Sequence, residues 1–426
     1  MIKSKKNAIE LLAPAGSMEK MRYAIHFGAD AVYAGVPDLS MRARINNFTE
    51  KNLAEATAFV QSKGKKMYIT LNIYAHNTHL KSLERHIKLL KKIKVDALII
   101  SDPGIIYLVK KIAPEMEIHL STQANTTNWM AAKFWYEQGV KRIVLAREVT
   151  LQDIQEIHAK VPKLELEYFV HGAMCMSYSG RCILSKWMTG TSANLGDCSQ
   201  PCRWGYIQKS PNEKAEEGVR VMEVEDIRGE HTIELEQDTQ GTYFFNSKDL
   251  NLMQHLKQLK DAGVMSFKIE GRNKSVSYVA QVTRAYRAVL DALESGVDTK
   301  KYAKIVKEQS GELDKIMNRG YTKGFLLGNE PEHNFFQSHS NAGQQFVGEV
   351  LQVQGTLLEV KVHNAIYGAD TLEIFTKEKN VKVAVRAIYD DEMHEVASAH
   401  GGHHKHYFLR INKKGVEPLS LIKKII

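Results

Sequence analysis

Short apolar runs alternate with amphipathic segments from residue 9 to about residue 295. Several runs, such as ALIIS at 97–101 and RIVLA at 142–146, are almost entirely apolar, which is typical of parallel strands buried on both faces. Eight such runs predict an α/β protein with a (β/α)8 TIM-like barrel rather than an open doubly wound sheet. The predicted strands are 10–14, 31–35, 66–72, 97–101, 117–121, 142–146, 164–170 and 266–270.

A second domain is indicated by a change of pattern near the C-terminus. The predicted barrel occupies residues 1–328 and is interrupted by an acidic insertion at 206–242, whose alternating pattern favours an exposed hairpin. A linker at 329–343 is rich in Asn, Ser and His. From 344 to 426 short alternating strands predict a small antiparallel β-barrel. Its predicted strands are QFVGEVLQV, LLEVKVH, TLEIFTK, KVAVRAIY and HYFLRI.

All four cysteines fall within one stretch of 28 residues with the spacing C-x6-C-x15-C-x3-C. Four thiolates are the ligand count of a tetrahedral zinc site or an iron–sulfur cluster. Zinc sites usually show two short pairs, whereas here only the second pair is short, so the spacing favours iron–sulfur and leaves zinc as the alternative. The cysteine segment, 171–206, follows the seventh predicted strand, which predicts a cluster at the barrel mouth.

The sequence shows no signal peptide and no apolar run of the length that a membrane span needs. We therefore expect a cytoplasmic protein without a membrane partner, in which disulfides are disfavoured and the cysteines stay reduced. The formal net charge is +9. For any single lysine cluster a solvated surface is the commoner explanation, but the total also suits an extended polyanion such as RNA.

Polar residues follow the predicted strands at their carboxyl ends, where barrel enzymes carry their active sites. Any one of them is equally well explained as a helix N-cap or a turn residue, but seven such ends facing one mouth favour a site. No H-E-x-x-H or G-x-S-x-G motif is present, so the sequence shows neither of these hydrolase signatures. The residues at these ends are Asn72, Asp102, Gln123, Asn125, Arg147, Glu148, Glu270 and Arg272.

The segment EYFVHGAMCMSYSGRCILS at 167–185 resembles the signature of the collagenase-like peptidases of unknown catalytic type, peptidase family thirty-two of the unassigned class. Further matches are LLAPAGS, DAVYAGV, STQANTTN, AREVTL, CRWGY, NSKDL and KIEGR, so the resemblance covers essentially the whole chain. Within that family, the C-x3-C-R-W and NSKDL segments most resemble the members that hydroxylate tRNA.

The resemblance implies oxygen-independent hydroxylation of the wobble uridine in the tRNA anticodon loop, giving 5-hydroxyuridine. It also implies prephenate as co-substrate and an iron–sulfur cluster, 4Fe–4S, held by Cys175, Cys182, Cys198 and Cys202. A peptidase, as the family name suggests, and a non-catalytic RNA-binding protein are the alternative interpretations.

Prephenate carries two carboxylates, so its site should contain arginine or lysine. We expect Arg181, Lys268 and Arg42 to bind this small anion, and we assign catalytic roles to His171, Arg147, Arg272 and Glu270. His171 precedes the first cysteine by four residues and is expected either to transfer a proton or to bond a cluster sulfide, with a purely supporting role as the alternative. The basic C-terminal domain is expected to hold the tRNA by its phosphates.

Overall fold

The computed structural model describes most of the 426-residue chain. The described residues are 9–36, 39–40, 48–174, 184–190, 198–204, 206–208, 213–216, 219–226, 229, 232–238, 241–242, 248–328, 343–402 and 406–425.

The N-terminal domain is an eight-stranded parallel barrel, which confirms the predicted fold class. Its strands are β1 (Glu10–Pro14), β2 (Ala31–Gly35), β3 (Lys66–Leu71), β4 (Ala97–Ile100), β5 (Ile118–Leu120), β6 (Arg142–Val144), β7 (Glu165–Ala173) and β14 (Val264–Ile269). They pair in the order β14-β1-β2-β3-β4-β5-β6-β7, and β7 closes the barrel on β14. Every residue of the ALII strand β4 is buried, as expected for a strand covered on both faces.

Helices surround the barrel, and those that directly follow a parallel strand begin at its mouth. They are α1 (Met18–His26), α2 (Glu50–Ser62), α3 (Leu80–Ile93), α4 (Pro103–Ile112), α5 (Trp129–Glu137), α6 (Leu151–Lys160), α7 (Leu184–Thr189), α8 (Leu256–Asp261), α9 (Val276–Glu294) and α10 (Thr299–Asp314). Side chains cap several of their N-termini: Ser17 accepts from the Lys20 amide, and Thr49 forms a capping box with Asn52. Such caps each stabilise a helix start by about 1 kcal/mol, and so fix where the strand-end loops stop.

The acidic insertion forms an antiparallel sheet in which the expected hairpin is the pair β10–β11. Its strands are β8 (Tyr206–Gln208), β9 (Glu213–Glu216), β10 (Val219–Asp226), β11 (Thr232–Asp238) and β12 (Gly241–Thr242). The chain then returns to the barrel through β13 (Asp249–Asn251), which pairs antiparallel with the end of β7, and β15 (Tyr321–Thr322) pairs with β13.

The C-terminal domain is a closed antiparallel barrel with the strand order β19-β24-β16-β17-β23-β20, completed by the pairing of β19 with β20. These strands are β16 (Gln344–Gln354), β17 (Leu357–Val362), β19 (Thr371–Phe375), β20 (Asn380–Tyr389), β23 (Tyr407–Ile411) and β24 (Leu421–Ile425). Three shorter strands accompany them: β18 (Ile366–Tyr367), β21 (Glu395–Val396) and β22 (Ser398–Ala399). Strand β24 was not among the predicted strands.

The C-terminal barrel packs on helices α1 and α9 through an apolar cluster. Phe375 and Leu421 of the C-terminal barrel are buried in one cluster with Phe27 of α1 and Ala280 of α9. At its edge the Arg284 guanidinium of α9 lies 3.4 Å from the Phe375 ring centroid and donates to the Thr376 carbonyl at 2.8 Å. Among the described helices, none is both long enough and apolar enough to span a bilayer.

Candidate functional site

The barrel mouth brings the glycine-containing ends of separate strands onto one segment, Glu270 to Arg272. A Cβ added to Gly16, after β1, would lie 2.2 Å from the Arg272 carbonyl oxygen. Gly172, near the end of β7, has φ +109°, and a Cβ there would lie 2.4 Å from the Glu270 carbonyl oxygen. Only glycine permits such close backbone approaches. The APAGS, HGA and EGR motifs therefore meet at one point of the structure.

Arg272 lies just beyond β14 and is buried, with 6% of its surface exposed. Its Nη1 donates to the Ser40 hydroxyl at 2.7 Å and to the Thr70 hydroxyl at 3.1 Å. The guanidinium also lies 5.8 Å from the centroid of the Tyr33 ring. Two hydroxyls and a ring face thus help to orient this cation.

Lys268 lies one step deeper on β14 and is buried among charged and aromatic neighbours. Its Nζ donates to the Glu167 carboxylate at 2.7 Å and lies 4.5 Å from the Tyr33 ring centroid and 5.4 Å from that of Phe169. Burial lowers the pKa of Lys268, and the charge of Glu167 opposes that shift. The Glu167 contact therefore favours the charged ammonium.

Arg147 follows β6 and is half-buried. Its guanidinium carbon lies 4.1 Å from the centroid of the Phe169 ring, on which it stacks. It forms no ion pair with any carboxylate in the described part of the chain. Arg147, Lys268 and Arg272 thus form a row of three cations separated by two rings, and we call this row the mouth cations.

Glu270 adds a carboxylate to the same rim. The Tyr33 hydroxyl lies 3.3 Å from its Oε2, and the side chain is 6% exposed. A carboxylate beside the mouth cations can accept and return a proton. The structure therefore brings together Arg147, Lys268, Arg272 and Glu270, and their chemical roles stay predictions.

Below the mouth, a buried ionic network that the sequence analysis missed supports Lys268. Arg142 donates to Glu10 at 2.5 Å and to Glu167 at 3.2 Å, and the Ser266 hydroxyl lies within 3.0 Å of both carboxylates. Arg142 and its hydrogen bonds outweigh burial and lower the pKa of Glu10 to about 2. One feature of the sequence could have indicated this network. Each of the strands ELLAP, RIVLA and ELEYFV is otherwise largely apolar and carries one of the charged residues Glu10, Arg142 and Glu167 at or near its start.

His171 does not share the surroundings of the mouth cations. A bulge changes the register between β7 and β14, so that His171 pairs with Ile269, a buried residue of the apolar core. Its ring packs within 6 Å of the rings of Tyr278, Tyr286 and Tyr321. Burial lowers its pKa to about 4, which keeps the imidazole neutral at pH 7. This geometry favours the supporting role over proton transfer at the mouth.

Several other polar strand ends have structural partners. Asp102 caps α4 by accepting from the Gly104 and Ile105 amides at 2.7 and 3.0 Å, as the N-cap alternative predicted. The Asn72 side-chain amide lies 3.5 Å from the Ser121 hydroxyl. Gln123, Asn125 and Glu148 are half-buried beyond β5 and β6.

Two of the four predicted ligands, Cys175 and Cys182, lie outside the described residues, as do Arg181 and Arg42. Cys198 is exposed and Cys202 half-buried, and neither forms a disulfide within the described part of the chain. Hydroxyls fix the turn between them: Ser199 Oγ lies 2.9 Å from Ser185 Oγ and 2.8 Å from Thr189 Oγ1 of α7. A hydrogen-bonded turn with two thiols fits half of a four-thiolate ligand set.

Comparison with known proteins identifies relatives over almost the whole chain. The family model described as "Peptidase family U32" matches residues 16–335, and "Peptidase family U32 C-terminal domain" matches residues 342–423.

The "tRNA hydroxylation protein P" of Escherichia coli is 40% identical over 403 residues, which is 87% of each chain. The "23S rRNA 5-hydroxycytidine C2501 synthase" of the same organism is 36% identical and shares 88% of this chain and 53% of its own. The "Collagenase" of Porphyromonas gingivalis is 30% identical over 89% of this chain and 95% of its own. Since one family model spans the barrel and a second spans the C-terminal domain, the chain belongs to peptidase family U32.

Proposed function

We propose that this protein is a tRNA-modifying enzyme that hydroxylates the wobble uridine to 5-hydroxyuridine, with prephenate as co-substrate and a four-cysteine iron–sulfur cluster. The observation that carries the proposal is the 40% identity, over 87% of both chains, with the tRNA hydroxylation protein P of Escherichia coli. The rRNA hydroxycytidine synthase, a second relative with a 5-hydroxylated pyrimidine product in its name, supports the same type of reaction.

The mouth cations support a small anionic co-substrate. Arg147 has a ring face but no carboxylate partner in the described structure, so its guanidinium N–H groups are available to a ligand carboxylate. Arg272, on the far side of Tyr33, is oriented by neutral hydroxyls. Two guanidinium groups on either side of Lys268 suit a molecule that carries two carboxylates, as prephenate does.

Cys175, Cys182, Cys198 and Cys202 would hold the cluster, which when bound supplies electron transfer or Lewis-acid chemistry at the mouth. Glu270 would hold or return a proton, because its carboxylate lies at the rim with the Tyr33 hydroxyl as its neighbour. The target uridine must leave its stack to enter the mouth, which costs less in an anticodon loop than in a duplex.

Nucleoside analysis of tRNA tests this proposal. Deleting the gene should abolish 5-hydroxyuridine and its derivatives at the wobble position, provided that no second family member compensates. The wild-type gene should restore them, and a Cys175→Ala copy should not. Protein purified without oxygen should contain about four irons per chain, from the ligand count. Unchanged wobble nucleosides in the deletion strain, or zinc in place of iron, would contradict the proposal.

Proteolysis is the second candidate, because the Porphyromonas gingivalis relative is named a collagenase. It predicts gelatin cleavage that survives loss of iron and a deletion strain with normal tRNA nucleosides. The sequence offers no H-E-x-x-H or G-x-S-x-G motif for such a reaction, and His171 is enclosed by tyrosine rings. Hydroxylation is therefore the better-supported function.

A further inference from the structure

The outer face of the C-terminal barrel carries a row of exposed cations on strands β20 and β23. Val385 pairs with Ile411 and Ala387 with Arg410, so Arg386 occupies a bulge beside Arg410. Val385 and Ile411 are buried in the domain core, whereas Arg386 and Arg410 are exposed. Side chains alternate along a strand, so Lys382 lies on the same outer face as Arg386.

The three cations have one acidic cross-strand partner, Glu373, which lies opposite Lys382 on β19. Lys382, Arg386 and Arg410 form no ion pair with any carboxylate in the described residues. Lys413 and Lys414, just after β23, are also exposed and extend the positive charge. A row of unpaired cations on one sheet face attracts a polyanion, because each bound phosphate releases counterions.

Two aromatic rings continue the same face. Tyr389 pairs directly with Phe408, two positions along β20 and β23 from the Ala387–Arg410 pair, and both rings are half-buried. Glu395 is the cross-strand neighbour of Tyr389, and Glu359 is that of Phe408. The Glu359 carboxylate lies 2.7 Å from the His406 ring. Rings beside cations on an open sheet are typical of platforms on which unpaired bases stack.

We propose that Lys382, Arg386, Arg410, Tyr389 and Phe408, the strand platform, bind a single-stranded segment of RNA. The cations hold its phosphates and the rings stack on its bases. This inference rests on the proposed function in taking the RNA to be the tRNA that enters the barrel mouth. An acidic protein partner would use the cations but would give the two rings no planar bases to contact.

The position of the strand platform fits an RNA that also reaches the mouth. Asn380, the first residue of β20, accepts from Arg284 of α9 at 2.8 Å. Arg284 lies nine residues beyond Ser275, the N-cap of α9 at the mouth rim, which corresponds to about 14 Å of helix. The platform residues of β20 lie two to nine residues beyond Asn380, at about 3.3 Å per residue, so an RNA on the platform reaches the mouth along an extended path of several nucleotides.

The cations are tested in the full chain with the variant Lys382→Gln, Arg386→Gln, Arg410→Gln. A charge-matched control, Lys51→Gln, Lys92→Gln, Lys300→Gln, removes three exposed lysines on the barrel helices and near their ends. We expect the platform variant to raise the Kd for labelled tRNA and for a single-stranded 12-nucleotide RNA at least tenfold. For the single-stranded RNA, the slope of the logarithm of the association constant against the logarithm of the salt concentration should become shallower by about 2. The reason is that three phosphate contacts are lost and each contributes about 0.7. The control should change neither quantity.

The rings are tested separately with Tyr389→Ala, Phe408→Ala. Losing two stacked bases should weaken binding of the single-stranded RNA roughly tenfold or more, with the salt slope unchanged, because rings release no counterions. Binding of a blunt RNA duplex should be almost unaffected. Melting curves of all variants, compared with wild type, verify that the C-terminal barrel remains folded.

Wild-type affinity for both RNAs in the cation and ring variants would overturn the inference. An equal loss on duplex and single-stranded RNA in the ring variant would also overturn it, in favour of a surface that binds phosphates alone. The proposed function is judged by a different result, the tRNA nucleosides of the deletion strain. Normal RNA binding by the variants, with wobble hydroxylation still dependent on the gene, would reject the platform and keep the enzyme.

Discussion

The lower barrel interior and the barrel mouth both contain buried cations, but the two regions compensate them differently. In the lower interior, Arg142 contacts the carboxylates of Glu10, Glu165 and Glu167 within 3.2 Å. At the mouth, Arg147 lies on the Phe169 ring and forms no ion pair with a described carboxylate. Removing a fully paired buried cation leaves buried carboxylates without their partner and so destabilises the fold, whereas a cation held by a ring is prepared for an incoming anion.

Lys268 connects the two regions. It takes its charge partner, Glu167, from the network below and shares the rings of Tyr33 and Phe169 with the mouth cations above. The ionic network therefore positions the Lys268 ammonium group through Glu167. A substitution in the network should therefore also change ligand binding at the mouth. Substitutions in the network should act mainly on stability, and substitutions at the mouth mainly on ligand binding.

The largest expected effect is the loss of the network's central cation. Arg142→Met leaves Glu10 and Glu167 buried without their main partner, which should lower the free energy of unfolding by about 3–5 kcal/mol. Urea denaturation at pH 7 measures this change. The control is Arg85→Met, which removes an exposed arginine 3.0 Å from Glu50 and should cost at most about 1 kcal/mol. Equal costs for the two variants would show that the network does not stabilise the barrel.

The next effect is acid sensitivity from Glu10. Its folded-state pKa is about 2 against an ordinary value of 4.5, so its stabilisation is present above pH 4.5 and is lost as the pH falls towards 2. The loss should approach about 3 kcal/mol, since one pKa unit corresponds to about 1.4 kcal/mol. Urea denaturation at several pH values between 7 and 2 measures it. A Glu10→Gln variant should be less stable at pH 7 and lose less stability on acidification, whereas an unchanged acid response would contradict this account.

A smaller effect is expected where neutral groups hold a mouth cation. Thr70→Val removes the hydroxyl 3.1 Å from Arg272 and should cost about 2 kcal/mol, as hydrogen bonds to charged groups do. Prephenate binding, followed by calorimetry, should also weaken because Arg272 loses its orientation. Thr57→Val is the control: this buried hydroxyl of α2 donates to the Leu53 carbonyl and touches no mouth residue. Thr70→Val with wild-type affinity for prephenate would separate Arg272 from the anion site.

The mouth was more predictable from sequence than the network that supports it. Arg147, Glu270 and Arg272 could be identified because they follow apolar strands, and the ends of parallel strands meet at one edge of a barrel. Glu10, Arg142 and Glu167 were missed because their pairing depends on barrel closure, which brings Arg142 to Glu10 across 132 positions and Ser266 to Glu10 across 256.

Two further misses have local causes that the residue pattern does not reveal. The side that His171 faces depends on the β7 bulge, which the run ELEYFV before His171 does not reveal. Strand β24 contains Lys423 and Lys424, which read as surface charge. In the structure Lys423 is buried at the contact between the two domains, where it donates to Gln281 of α9 at 2.6 Å.

The smallest expected effect on stability is at Arg147, and it sharpens the comparison most. Arg147→Gln removes one cation–π contact at a half-buried site and should lower the free energy of unfolding by only about 1 kcal/mol. The same change removes a mouth cation that has no carboxylate partner among the described residues, so prephenate binding and wobble hydroxylation should fall at least tenfold. Arg147→Lys should restore the charge but not the planar, bidentate geometry, and should recover only part of the binding. If Arg147→Gln is as destabilising as Arg142→Met and leaves prephenate binding intact, the mouth arginine is structural and the two regions do not differ in kind.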